Sequence, residues 1–548
     1  MTMNLQRRKV ALVGAGAALV LGLPLAVGHS AAGAPKPTPP EDGPTQIVRV
    51  ETPTRADRNK VADLGLDLAG TVGVDSIDVI VETSADRAAL ARAGFSGQVV
   101  VKDVKAAERE RVAADKAYAA AKPGGSTLPS RRTAYRTLAD YGTEMAALAA
   151  SYPTQARMLT LNHDSLEGRD VQGIEISNGV NASDDGKPTY LLLGVHHARE
   201  WPSAELVTEF AYDLLQNAAT TRIQNILDSV RVLIVPVVNP DGFQVSRGGA
   251  YELKRKNCRL TDGQFPADGA CALRANRALG TDPNRNYGAL WNGPGASPFP
   301  TDETYFGAGP FSEPETQNIR ELISSRQVVT MISNHTYSAL VLRPPGWNGA
   351  ETPADDALMT SLGDQMAAQM SYQSIRGYEL YNTSGTTEDW SYTATGGLGF
   401  TFEHGTQGFH PQFATGVVGP YSGGTRKMPG GGVREAFLIA AESSANAARH
   451  SVIEGTATPG VTLRLTKTFQ TEPWNPALAF PDTLESTLVV PASGAWTWHV
   501  NPSTRPAVTA AGGTETWTLT CENPAGTVLD TQQVTVARGG TATENLAC

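Results

Sequence analysis

Between residues 133 and 454, short apolar runs alternate along the chain with longer segments that have a helical period. The runs over 190–195 and 232–238 are typical of buried strands, and the segments over 203–217 and 433–448 are typical of helices. Repeated alternation of strand and helix predicts an α/β fold with a mixed, mostly parallel central sheet and helices on both faces. Functional residues of such sheets lie at the carboxyl ends of the strands.

Two smaller units are predicted on either side of this block. Residues 35–132 form an α+β propeptide and its linker, with strands at 47–50, 77–81 and 99–101 and helices at 55–64, 85–93 and 106–121. The short alternating runs of residues 455–548, rich in Thr, Val and Gly, predict an accessory β-sandwich. Three folded units suit 548 residues, at about 150 residues per domain.

The N-terminal residues 1–34 have the order of a secretory signal peptide. A basic start precedes an uncharged apolar run over 10–27, and small residues follow over 30–34. A membrane anchor is the alternative, but Pro24 interrupts the run and no stop-transfer charge follows it directly. We therefore expect a secreted, extracellular protein with no membrane association once the signal is removed.

The four cysteines form two local pairs, Cys258 with Cys271 and Cys521 with Cys548. Two disulfides are the economical interpretation, and they suit an oxidising compartment. The chain has 45 basic and 55 acidic residues and a net charge of -10. This balance disfavours a surface that tracks phosphates, so nucleic acid is not expected as a partner.

Three predicted strands end in residues that can bind or activate a ligand. His197 and Glu200 follow the strand over 190–195, His335 follows a strand over 328–332, and Glu403 follows a strand over 398–402. A charged residue at one strand end is as often a solvated edge as a catalytic group. Three such ends in one sheet face one cleft, and imidazole and carboxylate groups suit Zn²⁺.

Eight ordered segments then carry a resemblance to a known family: YRTL at 135–138, SLEGR at 165–169, HAREW at 197–201, VNPDG at 238–242, DPNRN at 282–286, HTYS at 335–338, DWSY at 389–392 and FTFE at 400–403. Together they resemble the zinc metallocarboxypeptidases of the carboxypeptidase A/B family, from residue 135 to about residue 448. The order and number of the segments make coincidence an untenable explanation.

The resemblance implies a catalytic centre with one Zn²⁺ per chain. His197, Glu200 and His335 would bind the zinc, and Glu403 would activate the zinc-bound water as general base and later act as acid. Arg255 matches the family's arginine that faces the developing oxyanion. Spacing alone would make Arg255 one member of a solvated basic run.

Substrate-binding roles also follow from the resemblance. Asn284 and Arg285 match the pair that recognises a free C-terminal carboxylate, which a planar guanidinium binds well. Tyr381 matches a mobile tyrosine that closes over the substrate. Arg199 resembles a secondary anion contact, and Tyr337 resembles a residue that lines the adjoining subsite.

Two neighbouring residues have supporting roles or none. Asp282 is predicted to hold a zinc-ligand imidazole in orientation, and a turn aspartate is the equally good alternative. His196 could in principle bind metal, but the motif register selects His197 and leaves His196 as a packed or hydrogen-bonded neighbour.

Glu388 lies where the family's specificity pocket has its base, with matches at Ser333, Gly346, Thr383, Thr386 and Thr401. A buried carboxylate without a cation is costly, so Glu388 predicts a preference for C-terminal Arg or Lys, or a dual basic and hydrophobic preference. The alternative is that Glu388 points outward.

The sequence thus predicts a monomeric enzyme that hydrolyses the C-terminal peptide bond of peptides and proteins. An activating protease is expected to cut the linker at Arg131 and Arg132 and to release the propeptide. The C-terminal unit is either an accessory binding module or a removable tail. Two other functions are considered: a zinc amidase acting on cell-wall peptides, and a catalytically silent peptide-binding relative, which would require a lost ligand or base.

Overall fold

The computed structural model describes residues 43–71, 73–182, 185–503 and 515–548. The predicted signal peptide, residues 1–34, lies outside these residues. The described residues form one compact unit. Within the described residues, no helix has both the length and the apolar character that crossing a bilayer requires.

Residues 43–120, here called the N-terminal unit, pair four strands into an antiparallel sheet of order β2-β3-β1-β4. The strands are β1 (Gln46–Glu51), β2 (Leu68–Thr71), β3 (Ser76–Val81) and β4 (Gly97–Val101), and the helices are α1 (Arg55–Ala62), α2 (Ser84–Arg92) and α3 (Val104–Ala120). Capping boxes at Thr54 and Thr83 start α1 and α2. Strand β2 was not predicted.

An eight-stranded mixed sheet, of order β11-β10-β12-β9-β7-β8-β6-β5, forms the centre of the molecule. Its strands are β5 (Ala156–Thr160), β6 (Gln172–Ile176), β7 (Thr189–Leu193), β8 (Arg231–Val235), β9 (Val328–His335), β10 (Leu340–Arg343), β11 (Gln373–Arg376) and β12 (Leu398–Glu403). The inner strands β12, β9, β7 and β8 run parallel, and three other pairings are antiparallel. The predicted α/β class with a mixed sheet is confirmed.

Helices cover both faces of this sheet. They are α4 (Leu138–Ser151), α5 (Trp201–Gln216), α6 (Thr221–Ser229), α7 (Pro240–Arg247), α8 (Pro314–Ser324), α9 (Asp356–Met370), α10 (Gly377–Leu380), α11 (Thr387–Thr395), α12 (Gly419–Ser422) and α13 (Gly432–Ala445). Alternate residues of β7 enter two different cores. Tyr190 and Leu192 pack with residues of α5, α9 and α13, whereas Leu191 and Leu193 pack with residues of α8 and α11.

The C-terminal β unit, residues 451–548, consists of two sheets, of order β16-β13-β19 and β15-β14-β17-β18. The strands are β13 (Ser451–Thr456), β14 (Thr462–Thr471), β15 (Phe480–Val489), β16 (Ala495–Val500), β17 (Trp517–Glu522), β18 (Val528–Val534) and β19 (Thr541–Thr543). Both predicted disulfides are present, Cys258–Cys271 and Cys521–Cys548.

The C-terminal β unit shares a core with one face of the central sheet. Leu463, Trp496 and Trp517 belong to the same apolar cluster as Leu191 and Met331 of β7 and β9. Removing this unit would therefore uncover buried apolar surface. This continuity argues against the removable-tail alternative, because a tail that can be removed would have a core of its own.

Candidate metal centre and substrate cleft

His197 and Glu200 lie on a tight turn between β7 and α5. The turn starts at Gly194, where a Cβ atom would lie 2.5 Å from the Pro236 carbonyl oxygen. The Ser203 hydroxyl accepts a hydrogen bond from the Val195 N–H (3.0 Å) and donates one to the Glu200 carbonyl (2.6 Å). These bonds fix the two side chains three residues apart at the carboxyl edge of the sheet.

His335 ends the neighbouring strand β9 and completes a cluster of three buried side chains. The Nδ1 atoms of His197 and His335 lie 2.8 Å and 2.9 Å from the two Glu200 carboxylate oxygens. The two Nδ1 atoms lie 3.1 Å apart. One atom from each residue is within 4.8 Å of the others, so the three can share a single ion.

This donor set fits zinc. Each histidine turns its other ring nitrogen to a fixed partner: His197 Nε2 is 3.0 Å from Asp282 Oδ1, and His335 Nε2 is 2.9 Å from Ser333 Oγ. Such outer partners orient metal-binding imidazoles. When the outer ring nitrogens carry the protons, the two Nδ1 lone pairs and the Glu200 carboxylate can bind one cation between them. Two histidines with a glutamate leave one position of a tetrahedral zinc open.

Glu403 and Arg255 lie beside this centre. Glu403 ends β12 and is paired in register with His335. Burial and the nearby Glu200 carboxylate raise the pKa of Glu403 well above its usual value, against the opposing effect of Arg255. The Arg255 guanidinium donates to Asp282 Oδ2 from Nη2 (2.8 Å) and Nε (3.1 Å), so Asp282 bridges Arg255 and His197.

Asn284 and Arg285 form the next turn, a 3-10 helix over Pro283–Arg285. The Asn284 side-chain oxygen accepts hydrogen bonds from the Thr387 N–H and hydroxyl, both at 2.9 Å. Arg285 Nε donates to the Gly295 carbonyl at 3.0 Å. Both side chains line the same cavity as His197 and Glu403.

The predicted pocket is formed in part by the predicted residues. Thr383, Thr386, Glu388 and Thr401 line the cavity. Gly346 lies behind Thr383, whose N–H donates to the Gly346 carbonyl at 2.8 Å. Ser333 does not line the cavity, because its hydroxyl is directed to the rings of His335 and His196. His196 is fully buried and also contacts the Tyr287 hydroxyl at 2.8 Å.

Glu388 points inward. Its side chain is 4 % exposed, and its Oε2 atom has no hydrogen-bond partner among the described residues. Burial and the adjacent Glu388 carboxylate raise the pKa of Asp389 to about 8, although Asp389 accepts a hydrogen bond from the Gly346 N–H at 3.0 Å. Glu388 therefore brings to the wall of the cavity a carboxylate oxygen that is unpaired within the described part of the chain.

The N-terminal unit covers this cavity. Residues 68–70 of β2 line it from above, and it has a volume of about 50 Å³. That volume holds a water molecule or two and cannot admit a peptide residue. Strand β2 lies directly on Tyr337: the Thr71 N–H donates to the Tyr337 carbonyl, and a Cβ at Gly70 would lie 2.4 Å from that oxygen.

Three predicted substrate-binding residues contact the N-terminal unit. Arg199 donates to both oxygens of Asp67, at 2.7 Å and 2.8 Å. The Tyr337 hydroxyl donates to Asp78 at 3.0 Å. Tyr381 packs against the core of the N-terminal unit. Sequence reasoning missed Asp67 and residues 68–70, whose one local signal is an acidic residue before a short, glycine-containing apolar run.

Comparisons with known proteins agree with this geometry. A family model described as zinc carboxypeptidase matches residues 141–415, half of the chain. A zinc carboxypeptidase from Saccharothrix mutabilis subsp. capreolus is 28 % identical over 428 residues, which cover 75 % of this chain and 92 % of that protein. Carboxypeptidase A1 of Sus scrofa is 31 % identical over 285 residues, which cover 49 % of this chain and 62 % of that protein.

A solved structure shares the fold. The carboxypeptidase A from Helicoverpa armigera matches with a TM-score of 0.60 at 22 % identity, over 74 % of this chain and 98 % of that one. The mixed α/β fold and the buried His-Glu-His cluster together indicate a zinc-dependent hydrolase. The chain belongs to the zinc carboxypeptidase family and is a zinc metallocarboxypeptidase.

Proposed function

We propose that this chain is the precursor of a secreted, monomeric carboxypeptidase that removes C-terminal residues from peptides and proteins, with a basic or dual basic and hydrophobic preference. One observation carries the proposal. A single cavity is lined by His197 and Glu200, by Glu403 and Arg255, and by the buried carboxylate of Glu388. The proposed catalytic groups and the proposed specificity pocket thus line one continuous cavity.

Asn284 and Arg285 would bind the free α-carboxylate of the substrate. A guanidinium can offer two parallel N–H donors to a carboxylate, and this geometry selects chain ends over internal peptide bonds. The Asn284 oxygen is already held by Thr387, so its amide nitrogen can face the ligand. Tyr381, once free of the N-terminal unit, would close over the bound residue.

The catalytic groups have separate roles in hydrolysis. Zinc held by His197, Glu200 and His335 would supply a Lewis acid for the scissile carbonyl and for water. Glu403 accepts the proton of the attacking water and passes it to the leaving amine as the C–N bond breaks. Arg255, kept in place by Asp282, stabilises the negative charge that develops on the carbonyl oxygen.

The preference for a basic residue rests on Glu388. A buried carboxylate with an unsatisfied oxygen is stabilised by a lysine or arginine side chain that enters the pocket. In Glu388→Ala, the ratio of kcat/KM for peptides ending in Lys over peptides ending in Leu should fall by about tenfold or more. An unchanged ratio would show that Glu388 does not determine the preference for the C-terminal residue.

We attribute latency to the N-terminal unit, because it covers the cleft. A linker of residues 121–132 joins this unit to the enzyme. Residues 121–124 are exposed, but Leu128 is buried in the enzyme core and Ser130 Oγ donates to Glu209 at 2.6 Å. Cleavage at Arg131 and Arg132, followed by departure of the N-terminal unit, would open the cavity. Secretion is supported by the disulfides, which suit an oxidising compartment.

The proposed function is tested on the processed enzyme with a peptide panel and mass spectrometry of the products. We expect loss of single C-terminal residues, one zinc per chain by metal analysis, and inhibition by a chelator that added zinc reverses. Glu403→Gln should keep its zinc and lose activity by about 10²-fold or more. Glu351 is an exposed glutamate, so Glu351→Gln serves as the matched control for Glu403→Gln. Internal cleavage products, or full activity of Glu403→Gln, would contradict the proposal.

A further inference from the structure

We propose that the C-terminal β unit positions the specificity pocket of the enzyme through Trp474 and Asp482, an inference that rests on the proposed role of Glu388 as the base of that pocket. The two residues lie on the β14–β15 hairpin of the C-terminal unit, one in its loop and one on β15. Each contacts a tryptophan of the catalytic block, and each of those tryptophans adjoins a residue that shapes the pocket.

The first contact runs through the loop over 472–479. Its backbone is joined to the catalytic block by two hydrogen bonds, from the Leu290 N–H to the Glu472 carbonyl (3.0 Å) and from the Trp474 N–H to the Trp291 carbonyl (2.9 Å). These bonds place the Trp474 ring edge-on to Trp347, with ring centroids 4.7 Å apart and an interplanar angle of 87°. This geometry is favourable for an aromatic pair.

Trp347 directly follows Gly346, which is packed against two pocket residues. The Gly346 N–H donates to Asp389, and its carbonyl accepts from the Thr383 N–H. A Cβ on Gly346 would lie 2.4 Å from Thr383 Oγ1 and 2.8 Å from Asp389 Oδ2. Because no space separates these groups, a shift of Trp347 moves the pocket wall at Thr383 and the carboxylate next to Glu388.

The second contact holds the base of the pocket. Asp482, 2 % exposed, accepts hydrogen bonds from Trp390 Nε1 (3.3 Å), from Thr471 Oγ1 (2.9 Å) and from the Arg320 guanidinium (2.9 Å). Trp390 is fully buried and lies on α11, two residues after Glu388. Asp482 therefore fixes the rotation of α11, on which the direction of the Glu388 side chain depends.

The contact of Trp474 with Trp347 holds the wall of the pocket in place, and the contact of Asp482 with Trp390 holds its base. Trp474 is 40 % exposed and lies outside the shared core, so the fold should tolerate its truncation. Truncation of Trp474 would then let the residues of the specificity pocket shift, while the proposed zinc ligands, Glu403 and Arg255 keep their positions. Substrate discrimination and KM should change, and kcat should not.

The test compares Trp474→Ala, Trp474→Phe and Leu478→Ala in the processed enzyme. Leu478 is a matched control, because it lies in the same loop and is 47 % exposed. For Trp474→Ala we expect KM for the preferred C-terminal residue to rise about tenfold, the Lys over Leu ratio to fall similarly, and kcat and zinc content to stay unchanged. Trp474→Phe should restore most of the selectivity, and Leu478→Ala should match the wild type.

Asp482→Asn and Glu388→Ala complete the set. Asp482→Asn should lower the same ratio if the variant folds, as judged by its thermal unfolding. If Glu388→Ala changes selectivity but Trp474→Ala leaves both KM and the ratio at wild-type values, the inference is overturned and the proposed pocket stands. If Glu388→Ala changes neither, the pocket and the inference both fail. A fall in kcat with unchanged KM for Trp474→Ala would also overturn it.

Discussion

The contact between Asp67 and Arg199 gives a direct test of the proposal that the N-terminal unit keeps the enzyme latent. Arg199 is fully buried in the precursor, and the Asp67 side chain is 16 % exposed. Asp67→Asn keeps the shape of the side chain and removes its charge, so the buried guanidinium loses its counterion. The variant residue lies in the part of the chain that the proposed processing would remove.

The size of the effect follows from the local geometry. Breaking a buried ion pair costs about 3 to 5 kcal/mol. Here Arg199 also donates to the carbonyls of Leu68 (3.0 Å) and Leu253 (3.2 Å), which remain in the variant, so we expect about 2 to 3 kcal/mol. That energy shifts the balance between covered and open cleft by about 30- to 140-fold.

The assay is hydrolysis of a small C-terminal substrate by the uncleaved precursor, expressed relative to the fully processed enzyme. The basal activity of Asp67→Asn should rise by the factor above, and its processed form should match the wild type. Glu110→Gln, an exposed carboxylate on α3, is the control and should stay latent. A basal activity of Asp67→Asn equal to that of the wild type would refute the role assigned to this ion pair.

Two further predictions concern stability and processing. Burial, with His499 and Arg538 nearby, lowers the pKa of His450 from 6.5 to about 3. Between these two pH values His450 is protonated in the unfolded chain and neutral in the folded chain. The free energy of unfolding therefore falls as the pH drops below 6.5. In urea unfolding, the free energy of unfolding of the wild type should fall by about 2 kcal/mol more than that of His450→Gln between pH 6.5 and pH 5. Equal losses in the two proteins would contradict this prediction. For processing, a trypsin-like protease should activate Arg131→Gln/Arg132→Gln at least about tenfold more slowly than Lys122→Gln, because Lys122 is followed by a proline. Equal rates would place the activating cut elsewhere.

The three strand ends that form the candidate site could be located from the sequence, and the resemblance to the carboxypeptidase A/B family assigned roles to the residues there. His197 and Glu200 follow β7, and His335 and Glu403 end β9 and β12. These three strands are adjacent and parallel in the sheet. Carboxyl ends of adjacent parallel strands meet at one edge, so apolar runs that end in these residues bring them together. A contact of Asp282 with a histidine of the cluster was predicted, whereas the contact of Ser333 with His335 depends on side-chain packing and was not.

A propeptide that is released from the enzyme was predicted from the sequence, but the contacts of β2 with Tyr337 and of Trp474 with Trp347 are beyond the reach of sequence patterns. Strand β2 has four residues, one of them Gly70, and it forms by pairing with β3 and resting on Tyr337 rather than from its own propensity. Trp474 is a half-exposed aromatic residue in a loop, and no periodicity links it to Trp347, over 100 residues earlier. Contacts between distant segments of a chain depend on tertiary structure, which local patterns do not encode.

The shared apolar core also bears on the order in which this enzyme can be made. A chain is synthesised from its N-terminus, and its domains usually fold in that order. Here one face of the catalytic sheet, with Leu191 and Met331, is completed by Leu463, Trp496 and Trp517. The predicted zinc ligands and Glu403 are synthesised first, on a sheet whose face at Leu191 and Met331 is then covered only in part, by α8 and α11. A nascent chain that stops short of β17 therefore leaves apolar surface open to aggregation. The C-terminal β unit therefore completes the burial of the catalytic sheet, and substrate binding is expected to require that this unit has folded.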